Sequence, residues 1–139
     1  MKAGKPIVHA LLVLLGFTSI VVFYRDGPWN ATRVLGIVLL FPSLVLWATA
    51  RIQLGGSFSV RPQAKGLVTH GLYSKIRNPI YLFGSLAILG LFVFTGKLRY
   101  LWVFAFLVPL QLFRIRKEGK VLQGKFGDAY LEYKRRTWF

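Results

Sequence analysis

Arg114 and Glu118 stand four residues apart in a chain that carries 19 Lys and Arg but only four acidic residues. On a helix that spacing puts guanidinium and carboxylate on one face. In an exposed soluble helix such a pair is worth only ~0.3–0.5 kcal/mol and carries no message. Here it lies where the apolar run Tyr100 to Phe113 gives way to a basic tail. An ionic pair at a membrane boundary, facing a polar segment, is a candidate site. The polar segment is "GLVTHGLYSKIRNPIY", residues 66–81. Within it, His70 beside Gly71 reads as a solvated or hydrogen-bonding side chain, with no metal partner in sight. Tyr73 and Tyr81 flank Asn78-Pro79, and their plainest role is anchoring at the headgroup level. Gly66 and Gly71 are turn residues that would also let the backbone approach a ligand closely. There is no cysteine, and two histidines with four acids leave little for a metal cage, so no metal site is expected. No Gly-x-Gly-x-x-Gly follows a strand, which excludes a Rossmann-type cofactor site.

The elements that must position these residues are oily. Residues of hydrophobic type make up 55% of the chain and the mean hydropathy is +0.52, which points away from a soluble globule. Four apolar stretches run Pro6–Phe23, about Val34–Ala50, Ile80–Phe94 and Tyr100–Phe113. The first two approach the ~20 residues that cross ~30 Å of hydrocarbon. The last two are shorter. With Thr95–Arg99 as a tight turn they read best as a helical hairpin, extended by Pro79 and by snorkelling Lys97 and Arg99. The expected fold is an all-α integral-membrane protein of about four transmembrane helices. Lys2 and Lys5 ahead of an apolar run mimic a secretory signal, but the run is long and lacks a small-x-small cleavage site, so it is expected to be a membrane helix.

With four crossings, only Arg25, Arg33, Lys97 and Arg99 fall on one side, and every other basic residue falls on the other. The positive-inside bias then puts both termini and the central loop, Arg51 to Pro79, in the cytoplasm, as expected of a cytoplasmic (inner) membrane protein. The net charge of +15 serves topology and attraction to anionic membrane lipids, and no nucleic-acid partner is needed to explain it.

The central loop opens on a turn at Gly55-Gly56 and closes at Pro79, well placed as the first residue of the third helix. The tail continues the fourth helix, with Leu112, Ile115, Leu122 and Phe126 at helical spacing beneath a basic face. On its own that pattern fits an interfacial amphipathic helix. Gly127-Asp128 interrupts it, and Asp128 is expected to cap a last short helix carrying Tyr130 and Tyr133.

Taken together, "KGLVTHGLYSKIRNPIY", an apolar hairpin and "RIRKEGKVLQGKFGDAYLEYKRR" resemble the isoprenylcysteine carboxyl methyltransferase family and the related phospholipid N-methyltransferases. The shared order is Leu-Val-Thr-x-Gly-x-Tyr, Arg-His-Pro-x-Tyr, Arg-x-x-x-Glu-Glu and Phe-Gly-x-x-Tyr-x-x-Tyr, over Arg51 onward. The resemblance implies one membrane domain over 1–139, with two N-terminal helices in 1–50 and a methyltransferase-like core in 51–139. It implies S-adenosylmethionine as cofactor and a lipidic or small hydrophobic acceptor, with the loop and the C-terminal helix forming the cofactor site. By position it makes Lys65, Gly66, Leu67 and Val68 the segment that wraps the cofactor. Tyr73 becomes a cofactor-contacting tyrosine, and Asn78, Pro79, Ile80 and Tyr81 become the His-Pro-x-Tyr box. Glu118 faces the cofactor, and Arg114 holds the substrate near the methyl.

Two residues depart from the pattern. Asn78 stands for the usual histidine and has no acid-base capacity, and Gly119 stands for the second glutamate. An amine acceptor needs a base, for which Glu118 is the nearby candidate, whereas a carboxylate needs only the clamp that Arg114 supplies. That weighting leans toward an anionic or thiol acceptor. Two other readings stand beside it: an NADPH-dependent sterol or enone reductase-like protein, whose C-terminal half is similar, and a membrane scaffold without activity.

Overall fold

The structure, a computed structural model, describes residues 4–55 and 67–139, and the regular elements among them are helical. They are α1 (Gly4–Tyr24), α2 (Ala31–Leu54), a 3-10 turn (Gly71–Ser74), α3 (Pro79–Thr95), a second 3-10 turn (Leu98–Val103), α4 (Phe104–Phe126) and α5 (Asp128–Arg136). Their ends follow local chemistry. Asn30 caps α2 by accepting the Arg33 N–H at 2.9 Å on its side chain. Pro79 opens α3 as expected, its fixed φ suiting the first turn. Gly96 closes α3 in the left-handed region at φ 69°. At the α4–α5 junction Gly127, not Asp128, is the cap. Asp128 is the first residue inside α5 and makes no side-chain cap bond, so its carboxylate acts only through the helix dipole.

The core lies between α2 and α3, which run antiparallel. Leu40, Leu44 and Ala87 are buried at its centre, with Val13, Leu14, Phe17 and Val21 of α1 packed against them. Two glycines set the spacing. A Cβ on Gly36 would collide with the backbone of Phe94, and one on Gly90 would stand 2.6 Å from the Leu40 nitrogen. Small residues at such crossings let two backbones approach closely, the usual device where lipid removes the hydrophobic drive between helices. The buried positions of α3 (Pro79, Phe83, Ala87, Gly90, Phe94) repeat every three or four residues and face α2.

Three stretches are long and apolar enough to cross a membrane: Gly4–Tyr24, Ala31–Leu54 and Leu98–Phe126. Their outward side chains, such as Leu15, Phe106 and Phe113, are exposed, as lipid-facing residues would be. Helix α3 has 17 residues, ~25 Å at 1.5 Å per residue, short of the hydrocarbon thickness by itself. Helix α4 follows it beyond the Gly96 turn, but α3 lies along α2 and meets α4 mainly through side chains.

The four basic residues that the sequence sets apart share one end of the bundle. There Lys97 Nζ donates to the Tyr24 hydroxyl at 2.8 Å, and that bond raises the Lys97 pKa. Arg33 donates to the Tyr24 carbonyl at 2.7 Å and lies over the Phe94 ring. Lys97 and Arg33 thus both tie this end of the bundle to Tyr24. The opposite end carries the polar loop, the end of α4 and α5.

Candidate functional site

Helix α3 starts at Pro79, which places Tyr81 in its first turn and Ser85 one turn further, both toward α4. The Tyr81 hydroxyl donates to Glu118 Oε1 at 2.6 Å, a short charge-assisted bond across 37 residues of sequence. Arg114 Nη2 lies 3.8 Å from the same carboxylate oxygen, and its guanidinium sits 5.7 Å from the centre of the Tyr81 ring. The side chains of Arg114 and Glu118 are 35% and 27% exposed, so the pair is half-sheltered and reachable. A cation, an anion and a phenol thus converge from two helices.

Tyr73 joins this cluster from the polar loop. Its 3-10 turn begins at Gly71, whose φ of 60° favours glycine and whose missing Cβ leaves room for the Gln53 amide. Gln53 Oε1 accepts the Leu72 N–H at 2.9 Å, so the end of α2 holds the turn in place. Tyr73 is buried, and burial pushes its phenol well above the usual value. Tyr133, Glu118 and Tyr81 push the same way, and the buried Arg51 beside it opposes them.

Helix α5 closes the site. Tyr130 and Tyr133 on its inner face, and Thr137 just past its end, are all buried. The Tyr133 phenol is pushed up to about 12 by burial, with Tyr130 adding and Arg77 opposing. Burial raises Tyr130 as well. A Cβ on Gly119 would stand 3.0 Å from the Tyr130 hydroxyl. Where the resemblance has a second glutamate, this chain therefore has a glycine with a tyrosine hydroxyl against it. Beyond α5 the chain returns to the loop: Trp138 N–H donates to the Lys75 carbonyl at 3.0 Å. The Phe139 carbonyl accepts from the N–H groups of Arg77 and Asn78 at 2.7 and 3.1 Å. The buried Asn78 Nδ2 and Tyr133 hydroxyl make no hydrogen bond among the described residues. Such atoms cost ~1–3 kcal/mol each when left unpaired, which marks them as ligand-binding candidates.

Between α3 and α4 runs a groove of about 170 Å³, walled by Leu82, Val108, Leu112 and Ile115, with Tyr81 and Phe139 also on its lining. On it, Ser85 Oγ donates to Gln111 Oε1 at 3.0 Å.

Of the residues singled out from the sequence, Tyr81, Arg114 and Glu118 come together, with Tyr73 close enough for its phenol to feel Glu118 and Tyr81. Asn78 immediately precedes α3 with its amide buried. Pro79 is fully buried and serves the helix start, and Ile80 is half-buried beside it. Leu67 and Val68 are half-buried outside any helix, and His70 is exposed. Lys65 and Gly66 lie outside the described residues. Sequence reasoning gave no site role to Arg51, Gln53, Tyr130, Tyr133, Ser85 or Gln111. The tyrosines had a signal, since two aromatics three apart on a short basic helix must face something. Gln53 had none, because its partner is a backbone N–H set by the loop.

Neither a curated protein nor a solved structure matches the chain. A model of the phospholipid methyltransferase family matches residues 31–129, which takes in α2, α3, α4 and the whole Tyr81–Glu118–Arg114 cluster. Because that match covers well over half of the chain, and its cluster is built from residues within it, the chain belongs to the phospholipid methyltransferase family.

Proposed function

We propose that this membrane protein transfers a methyl group from S-adenosylmethionine to the amine of a phospholipid headgroup, at the site built by Tyr73, Tyr81, Arg114 and Glu118. The observation that carries the reading is the 2.6 Å Tyr81–Glu118 bond with Arg114 beside it, because it sets one carboxylate and one guanidinium side by side. A zwitterionic headgroup offers the matching pair, a phosphate for Arg114 and an ammonium for Glu118. The family match supports this acceptor over the anionic or thiol one that the residues alone lean toward.

The residues present fit the cofactor. Glu118 suits its positive charge, and the unpaired Asn78 Nδ2 and Tyr133 hydroxyl are donors for its oxygen and nitrogen atoms. The tyrosine rings offer faces to a cation or an aromatic base. When bound, the cofactor supplies an electrophilic methyl on a sulfonium. The chain's own work is then alignment, removal of one proton from the acceptor and exclusion of water. Glu118 is the proton acceptor, Tyr81 holds its carboxylate in place, and Arg114 fixes the headgroup. The site is read as facing the cytoplasm, on the strength of the basic residues gathered at that end.

The test is calorimetric titration in nanodiscs with S-adenosylmethionine, S-adenosylhomocysteine and NADPH, using Glu118→Ala as control, followed by label transfer to phosphatidylethanolamine. Adenosyl-ligand binding, weakened tenfold or more in the variant, with labelled lipid as product, is expected. Binding of NADPH alone would move the protein to the reductases. No heat from any ligand would leave a scaffold.

A further inference from the structure

The groove between α3 and α4 contains a polar pair that the transfer chemistry does not use. Ser85 and Gln111 lie deeper along their helices than Tyr81 and Glu118. Four residues of α3 separate Ser85 from Tyr81, a rise of ~6 Å, and seven residues of α4 separate Gln111 from Glu118, a rise of ~10 Å. The walls around the pair are apolar; α4 belongs to a stretch long and apolar enough to cross a membrane, and α3 is a shorter apolar helix beside it. Ser85 donates to Gln111 Oε1 at 3.0 Å. That bond leaves the Gln111 amide nitrogen, on a side chain lining the groove, without a hydrogen bond among the described residues. Polar side chains at such depth are costly and need a partner.

The plain explanation is interhelical glue, in which two polar residues join α3 to α4. The packing argues against it. Helix α3 is held by α2 through the Gly36 and Gly90 contacts, whereas α3 and α4 stand apart along a groove. Glue that leaves a slot beside itself and one amide nitrogen unused is poor glue.

We propose that Gln111, oriented by Ser85, is a specificity-determining residue that donates a hydrogen bond to an ester carbonyl of the acceptor lipid. The inference rests on the headgroup reading above and extends it to the lipid's backbone. A glycerolipid seated with its amine at Glu118 has its ester carbonyls roughly one to two helical turns further along the groove. An acceptor with purely hydrocarbon chains, or with ether-linked chains, offers nothing comparable at that depth. Gln111 thus selects for acyl esters, while Tyr81, Glu118 and Arg114 select for the headgroup.

Native mass spectrometry of the detergent-solubilised protein tests this, with an equimolar mixture of diester and diether phosphatidylethanolamine of equal chain length. Wild type is expected to retain the diester lipid about fivefold over the diether, the size of one hydrogen bond in a membrane setting. Gln111→Leu should bring the ratio to about one with S-adenosylhomocysteine affinity unchanged. Ser85→Ala should reduce it, and Ser85→Thr should keep it. Equal retention by wild type, or a preference that survives Gln111→Leu, overturns the proposal. Parallel loss of both lipids in that variant also overturns it, since it would mark the pair as glue. The retention ratio needs no turnover, so a failure of methyl transfer would sink the headgroup reading while this result stood or fell separately.

Discussion

Tyr81 and Glu118 hold one another across the gap between α3 and α4, phenol to carboxylate at 2.6 Å. The bond orients the carboxylate that the proposed chemistry requires as proton acceptor. Tyr81→Phe keeps the ring beneath Arg114 and removes only the hydroxyl. A hydrogen bond to a charged group contributes ~1.5–3 kcal/mol, so methyl transfer should fall ~10–100-fold. Adenosyl-ligand affinity should change by much less. Equal loss in both would mean that Tyr81 serves binding instead of positioning.

Tyr133→Phe should move stability and binding in opposite directions. The Tyr133 hydroxyl is buried without a partner, on a residue only 3% exposed. Removing it relieves a desolvation cost of ~1–3 kcal/mol in the ligand-free protein and should raise the melting temperature. The same change removes a donor proposed to meet the cofactor and should weaken S-adenosylhomocysteine binding. Thermal denaturation with and without that ligand reads both effects.

Alkaline pH should destabilise the protein through the same residue. Burial lifts the Tyr133 phenol to about 12, above the ordinary value of ~10. Below pH ~10 both folded and unfolded states hold the proton, and the stabilisation is fully present. Between pH ~10 and 12 the unfolded chain loses it while the folded chain keeps it, so stability falls as pH rises. Tyr73, raised by burial in the same way, adds to the slope. Melting temperatures from pH 8 to 12 should decline, and less steeply in Tyr133→Phe.

Glycine in two helices should respond oppositely to alanine. At Gly90 the new Cβ would stand 2.6 Å from the Leu40 nitrogen and 2.9 Å from its Cα, so α2 and α3 must separate. Overpacking of this kind costs ~1–3 kcal/mol. At Gly124 nothing lies within 4 Å, and the change should add up to ~1 kcal/mol of helix propensity. Denaturation of the two variants in one detergent compares them directly.

The sequence by itself determined that this is a helical membrane protein, where its third helix starts, and which charged residues would meet. Apolar length, turn residues and an i,i+4 spacing are local, and Pro79, Gly96 and the Arg114–Glu118 pair act through their own neighbourhoods. Only the tertiary structure decided that α3 leans on α2 and not on α4, because that choice rests on Gly36 and Gly90 admitting a backbone contact between residues far apart in sequence. The same contact opens the groove beside α4 and sets Gln111 on it. It also took the fold to show that Gln53 holds the Tyr73 turn and that Tyr130 stands against Gly119. Each of these relations joins a side chain to a distant partner, and no periodicity along the chain records the distance between two helices in space.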